Sequence, residues 1–181
     1  MTDEPMRETR LRAARRDDLT RILEIHNDAV LTTTAVFHYA PQTLETRVAW
    51  FEEKRAAGWP VIVIADAASD VALGYGSYGP FRAWPAYKYS VEHSVYVHKD
   101  ARGRGIGRQL VEALLEQADA AGYRTVIAGV VADNAASLAL HRRLGFEDVA
   151  RFRDVGFKFG RWLDLCFLQK MLRGPATPVE G

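Results

Sequence analysis

The chain has 181 residues, 48% of them hydrophobic and 26% charged, with a formal net charge of +1. That length and apolar fraction suit one globular domain with a substantial core, and near-neutrality gives no global pull toward nucleic acid or an anionic membrane. A lone cysteine, Cys166, excludes an internal disulfide and suits a reducing cytosol; no apolar run approaches the roughly 20 residues of a membrane span, and the charged residues 1–10 lack an apolar signal core.

Hydrophobic periodicity orders the elements. A strand over residues 9–13 leads to a helix from about 17 to 30. An irregular Thr/Phe/Pro stretch, 31–42, precedes a second helix over 44–57. Residues 61–65 and 71–81 form an early hairpin, and a strand follows at 91–97. A glycine-rich turn opens a helix running to about 121, then come a strand at 125–131 and a helix at 135–144. Two closing strands, near 150–155 and 162–172, leave a disordered Pro-containing tail over 173–181. Antiparallel strands followed by a β-α-β crossover predict an α/β fold in one domain, residues 1–172, with a mixed, mostly antiparallel twisted sheet and helices on both faces. Cys166, among Leu163, Leu165, Phe167 and Leu168, reads as a buried packing residue.

The richest stretch is where the strand through Ser94, Val95, Tyr96 and Val97 breaks into Gly103, Gly105 and Gly107. Beyond it, Ile106, Leu110, Val111, Leu114, Leu115 and Ala118 mark one buried helical face. A helix N-terminus preceded by bare amides attracts anions, and Arg102, Arg104 and Arg108 add charge there. The arrangement predicts a pyrophosphate cradle, its alternative being a flexible turn that caps a helix. No Lys-Ser or Lys-Thr follows the glycines, as a P-loop requires, and their spacing is not G-x-G-x-x-G. Downstream, Asn134 is a good N-cap and Gly145 a good stop for a short helix. Asn134, Ser137 and His141 share one face of it.

Arg102, Gly105 and Gly107 form R-x-x-G-x-G, which resembles the acetyl-CoA signature of the GNAT superfamily of N-acetyltransferases. The stretch from Asn134 through His141 to Gly145-Phe146 resembles the second half of the same core. In that superfamily the asparagine helps to hold CoA and the aromatic seven positions on stands near its sulfur. Glu92-His93-Ser94-Val95-Tyr96-Val97, Gly79-Pro80-Phe81-Arg82 and the run from Val155 to Leu165 look like the phosphinothricin and methionine sulfoximine N-acetyltransferases. So do the stretches from Ile25 to Val30 and from Thr32 to Phe37; the likeness runs from about residue 11 to 169, with His26 where relatives often carry tyrosine. The resemblance implies the GNAT fold, with a β-bulge or splay at the acetyl-CoA site.

On that frame the edge of Val95, Tyr96 and Val97 would pair the pantetheine arm as an added strand does. The amides of Gly103, Arg104, Gly105, Ile106, Gly107 and Arg108 would take the pyrophosphate, with Arg102, Asn134 and Ser137 completing the cofactor site. Aminolysis of a thioester needs a neutral amine, and Glu92 is the candidate base, directly or through one water. It shares a strand face with Ser94 and Tyr96. His141 is a candidate donor to the leaving thiolate, a partner in the base role, or only a positioner. His93 and His98 have the opposite parity and read as structural; with His26 and His38 isolated, no metal-ligand spacing exists and no metal is expected.

For the acceptor, Arg82 suits a carboxylate or phosphinate. It precedes Pro85, Ala86 and Tyr87, in a loop resembling the family's substrate-contacting stretch, and Thr34 and Phe37, with Thr33, would form a pocket wall. The turn from Lys158 to Trp162 either closes the pocket or builds a dimer contact. Phe157, Phe159 and Trp162 would leave an apolar patch on a monomer, so a homodimer is expected, as is common in the family. The expected activity is acetyl transfer from acetyl-CoA to the α-amine of phosphinothricin, methionine sulfoximine or methionine sulfone in a ternary complex. The alternatives are another amine (a polyamine, an antibiotic or a peptide N-terminus) or an inert acetyl-CoA-sensing module.

Overall fold

A computed structural model describes residues 8–180; residues 1–7 of the charged N-terminus and Gly181 of the expected tail lie outside it. In chain order the elements are β1 (Thr9–Ala13), α1 (Leu19–Thr32), α2 (Leu44–Ala56), β2 (Val61–Asp66), β3 (Ala72–Pro80), β4 (Ser90–Val97), α3 (Ile106–Ala120), β5 (Thr125–Val131), α4 (Ala135–Arg143), β6 (Glu147–Lys158) and β7 (Arg161–Met171). They form a seven-stranded sheet in the order β1-β2-β3-β4-β5-β7-β6, antiparallel at every step but β4–β5.

Two boundaries depart from expectation for clear reasons. Periodicity places the start of the first helix near residue 17, but Arg16–Asp18 makes a 3-10 turn and α1 begins at Leu19. The Asp18 carboxylate accepts from the Arg15 amide at 2.7 Å and from both terminal nitrogens of Arg12, which holds it outside the helix. Strand β6 starts three residues early and runs three further, to Lys158. Its charged stretch carries no alternation to read, and its extent comes from pairing with β7.

Alternation along the strands puts apolar side chains on both faces of the sheet, one main core on each. Ile62, Ile64, Val91, Val126, Ala128 and Leu168 pack under α3 and α4 with Leu110, Leu114 and Leu138. Val61, Val63 and Tyr75 pack on the other face with Ile22 and Ile25 of α1 and Phe51 of α2. Leu114 is 1% exposed, and truncating such a residue to alanine costs about 2–5 kcal/mol. Cys166 is buried in the first core.

The site depends on where β4 and β5 part. They pair only at Ser90–Thr125, Val91–Val126 and Glu92–Ile127. Beyond Glu92, β4 follows β3 to Val97 in unbroken register, whereas β5 follows β7 to Val131. The result is a gap at the C-terminal ends of two parallel strands, flanked by α3 and α4. Residues 173–180, expected as a disordered tail, carry no helix or strand. Arg124 donates to the Leu172 and Arg173 carbonyls at 2.7 and 3.0 Å, and the Val179 amide donates to the Tyr89 hydroxyl at 3.1 Å.

Candidate active site

After β4, a 3-10 turn at Lys99–Ala101 leads to Gly103 and Gly105, with φ of +78° and +76°. A Cβ at either would meet nothing within 4 Å, so glycine serves the left-handed backbone here, not a tight space. Gly105 is the N-cap of α3 and caps it with no side chain. The Gln109 amide donates to the Gly105 carbonyl at 3.1 Å, so the amides of Ile106, Gly107 and Arg108 precede the helical ladder and point out of the helix end. Arg102 pairs with Asp28 at 3.3 Å and Arg108 with Glu112 at 2.8 Å. Exposed pairs of this kind are worth only about 0–1 kcal/mol, so an anion can displace the carboxylates at little cost. The cradle fits a pyrophosphate by its charge and its free amides.

Two adjoining voids lie beside it. One, of about 90 Å³, fills the strand gap between Ser94–Tyr96 and Gly129–Val131 and reaches His93, Ser137 and His141. The other, of about 620 Å³, is lined by Val95, Tyr96 and Val97 together with Thr32–Ala35, Arg102, Phe159 and Arg161. Asn134 lines both. Its Oδ1 accepts from the Ser137 amide at 3.1 Å as the α4 cap, leaving the carboxamide NH₂ for a ligand acceptor.

Glu92 sits at the last β4–β5 pair. A Cβ on Gly129 would lie 3.1 Å from Glu92 Oε1, so glycine in β5 makes room for the carboxylate. Burial raises its pKa, opposed by Arg82, whose Nη1 is 3.9 Å from Glu92 Oε2. A carboxylate shifted upward is a better proton acceptor for an ammonium than an ordinary one. On the same face Tyr96 stacks on Tyr75 with centroids 5.2 Å apart and meets His26 edge-on at 5.5 Å.

His141 is 2% exposed, and its geometry bears directly on the donor role. Its Nδ1 lies 2.7 Å from the Ser137 carbonyl and its Nε2 lies 3.2 Å from His93 Nε2. A carbonyl only accepts, so His141 Nδ1 carries the hydrogen. Burial lowers the pKa of both rings, that of His93 to about 3, so both are neutral at neutral pH. His141 Nε2 is then bare and accepts from His93 Nε2–H, an assignment that follows from the partners. As placed, His141 has no N–H to offer a thiolate. His93 is the partner that strand parity had set aside as structural, and its own Nδ1 is buried without a partner among the described residues. His98 caps the 3-10 turn, Nδ1 accepting from the Asp100 amide at 3.3 Å. His26 and His38, read as isolated, meet edge-on at 6.0 Å, and no group of three metal-binding side chains occurs among the described residues.

The acceptor residues divide. Thr34 lines the larger void and donates to Asp133 at 3.3 Å. Phe37, expected in the pocket wall, packs against Gly156, where its ring leaves no room for a side chain, and does not line the cleft. Arg82 donates to the Phe81 carbonyl at 2.7 Å, lies 4.0 Å over the Phe81 ring and stays beside Glu92. Tyr87 meets Phe81 edge-on at 5.7 Å. Pro85 and Ala86, expected at the acceptor, instead line a separate cleft of about 700 Å³ with Lys88, Tyr89 and residues 178–180. The loop turns there as a 3-10 segment, a direction its composition does not encode. Arg161, in the turn expected to close the pocket, lines the cleft and pairs with Asp133; Asp133 and Thr32 line it without a sequence expectation. Asp133 had a signal, its place directly before the α4 cap.

Residues 11–167 match the acetyltransferase (GNAT) domain. The chain is 51% identical over 152 residues to an L-methionine sulfoximine/L-methionine sulfone acetyltransferase of Pseudomonas aeruginosa, covering 84% of this chain and 88% of that one. It is 37% identical over 166 residues to a phosphinothricin N-acetyltransferase of Streptomyces coelicolor, covering 91% and 97%. Its fold superposes, at a TM-score of 0.90 and 37% identity, on a phosphinothricin acetyltransferase of Sinorhizobium meliloti in complex with acetyl-CoA, covering 96% and 94% of the two chains.

Proposed function

Because this chain belongs to the GNAT acetyltransferases and is an acetyl-CoA-dependent N-acetyltransferase, we propose that its acceptor is the α-amine of a small amino acid with a polar side-chain head. Methionine sulfoximine, methionine sulfone and phosphinothricin represent that class. One observation carries the reading: Glu92, half-buried and raised in pKa, stands at the last β4–β5 pair with its carboxylate against Gly129, a residue that lines the strand gap. Identity to the sulfoximine and phosphinothricin enzymes supports the class.

The β4 edge at Val95–Val97, the glycine turn from Gly103 to Arg108, Arg102, Asn134 and Ser137 would hold acetyl-CoA. It supplies an acetyl thioester whose thiolate can leave with the C–S electron pair. Glu92 takes the ammonium proton, directly or through one water, so that nitrogen has a lone pair for the acetyl carbon. The cradle amides and arginines hold the anionic end, which fixes how far the reacting end reaches. His141, neutral and tied to Ser137 and His93, shapes the floor of the gap and supplies no proton. Arg82 beside Glu92 is positioned for the acceptor carboxylate.

A thiol-release assay with a panel of amines tests the reading. Turnover of methionine sulfone and phosphinothricin well above methionine supports it. Preference for a polyamine, an antibiotic or a peptide N-terminus overturns the acceptor class, and the absence of thiol release with every amine tried would leave a sensing module. Discrimination against the thioether is expected because each polar group it strands costs about 1–3 kcal/mol, or roughly 5–150-fold in kcat/KM. We further propose a homodimer through the outer hairpin, where Phe152, Val155, Phe157 and Trp162 are exposed together. Light scattering showing only a 20 kDa species would refute it. A cytoplasmic site fits the reduced, buried Cys166, and no helix among the described residues is long and apolar enough to cross a membrane.

A further inference from the structure

The tip of the β6–β7 hairpin breaks two local rules side by side. Its turn residues, Phe159 and Gly160, both have positive φ, +50° and +73°, as a two-residue mirror-image turn requires. Glycine or asparagine meets that requirement without strain; a bulky aromatic does not. Phe159 is 57% exposed, so core packing does not explain it, yet its ring lines the large cleft. The preceding residue, Lys158, is 3% exposed and spends its ammonium on carbonyls alone. It donates to Val30 and Val36 at 2.6 Å and to Thr33 at 2.9 Å, and lies 4.9 Å from the Phe159 ring centre. A buried cation without a carboxylate is an expensive fastener. Such departures persist where function requires the arrangement.

What Lys158 fastens is the other wall of the cleft. Val30 lies in the last turn of α1, and Thr33 and Val36 follow it, so the ammonium stitches the helix end and residues 33–36 to the hairpin. Tyr39, donating to the Phe157 carbonyl at 2.8 Å, continues the seam. Within that wall the threonine hydroxyls are already used: Thr32 donates to Asp28, Thr33 to Ala29 and Thr34 to Asp133. With its hydroxyls engaged, that wall shares the cleft with Phe159, and the pair suits a methylene chain better than a polar group.

We propose that this tip selects the acceptor: Phe159 is a specificity-determining residue that packs against the acceptor's methylene chain, and Lys158 is a positioning residue that holds the facing wall. The inference rests on the acceptor reading above only in taking that chain to belong to an amino acid. The test compares Phe159→Gly and Lys158→Met with the unaltered enzyme, using the amine that enzyme acetylates best and acetyl-CoA as the varied substrates. Phe159→Gly relieves the turn, so its melting temperature stays or rises, while the amine KM rises about 10-fold or more and the acetyl-CoA KM holds. Lys158→Met gives the same split in KM, with faster amide hydrogen exchange over residues 31–36. An amine KM within twofold of the unaltered value in Phe159→Gly, or an equal rise in both KM values, overturns the inference. Should the preferred amine be other than an amino acid, the acceptor class falls, and the same comparison on that amine still decides the role of the tip.

Discussion

On the proposed assignment, the cofactor end and the acceptor end of the cleft are built from different kinds of chain. The cofactor end is one nearly continuous run, from β4 through the glycine turn, α3, β5 and α4, in which each element hands the next its position. Its groups are mostly backbone: the amides ahead of the α3 ladder and the edge of β4 beyond Glu92. On the proposed reading the acceptor end is assembled from side chains of distant segments: residues 32–35 and the hairpin tip at Phe159 and Arg161, which line the cleft, and Arg82, which stands beside Glu92. Backbone sites tolerate change wherever φ and pairing survive, whereas side-chain walls can be retuned one residue at a time. A fold that keeps its acetyl donor and varies its acceptor gains from that division.

The largest expected effect lies at the junction of the two ends. Glu92→Gln keeps shape and hydrogen bonding but removes the base, so kcat should fall about 10²–10⁴-fold with the acetyl-CoA KM unchanged. Turnover near the unaltered rate would remove Glu92 from the chemistry. On the cofactor side, Gly105→Ala forces a Cβ into a backbone at φ +76°, costing roughly 1–2 kcal/mol where the cradle forms. The acetyl-CoA KM should rise several-fold while the amine KM holds; the reverse pattern would mean that the two ends are not separable.

Protonation tests the floor between them. Burial holds His93 at about 3, His26 at about 4 and His141 below the ordinary value of 6.5. Below about pH 6.5 the unfolded chain therefore binds protons that the folded chain refuses. Stability is full above that pH and falls as the pH drops toward the folded values, by on the order of 1 kcal/mol per pH unit for each such histidine. Melting curves from pH 7 to 5 should show a shallower loss in His93→Phe than in the unaltered protein. Equal slopes would show that His93 is not held neutral by the fold. The smallest effect belongs to Arg108→Ala, which removes an exposed pair with Glu112 worth about 0–1 kcal/mol. Its melting temperature should hardly move while the acetyl-CoA KM rises modestly, and a large loss of stability would contradict the surface placement.

By itself the sequence determined the α/β order, the glycine turn ahead of α3, the Asn134 cap and the face shared by Glu92, Ser94 and Tyr96. These rest on strand parity, helical spacing and positive-φ glycines, all of which act within a few residues. Only the tertiary structure decided what distant segments do to one another. It brought His93 against His141 across 48 positions, so that the two rings share a contact no local pattern announces. It turned Pro85 and Ala86 toward the chain's end, and it drew Lys158 to carbonyls more than 120 residues away. The physical reason is that hydrogen bonds and burial depend on distance in space, whereas periodicity reports only neighbours along the chain.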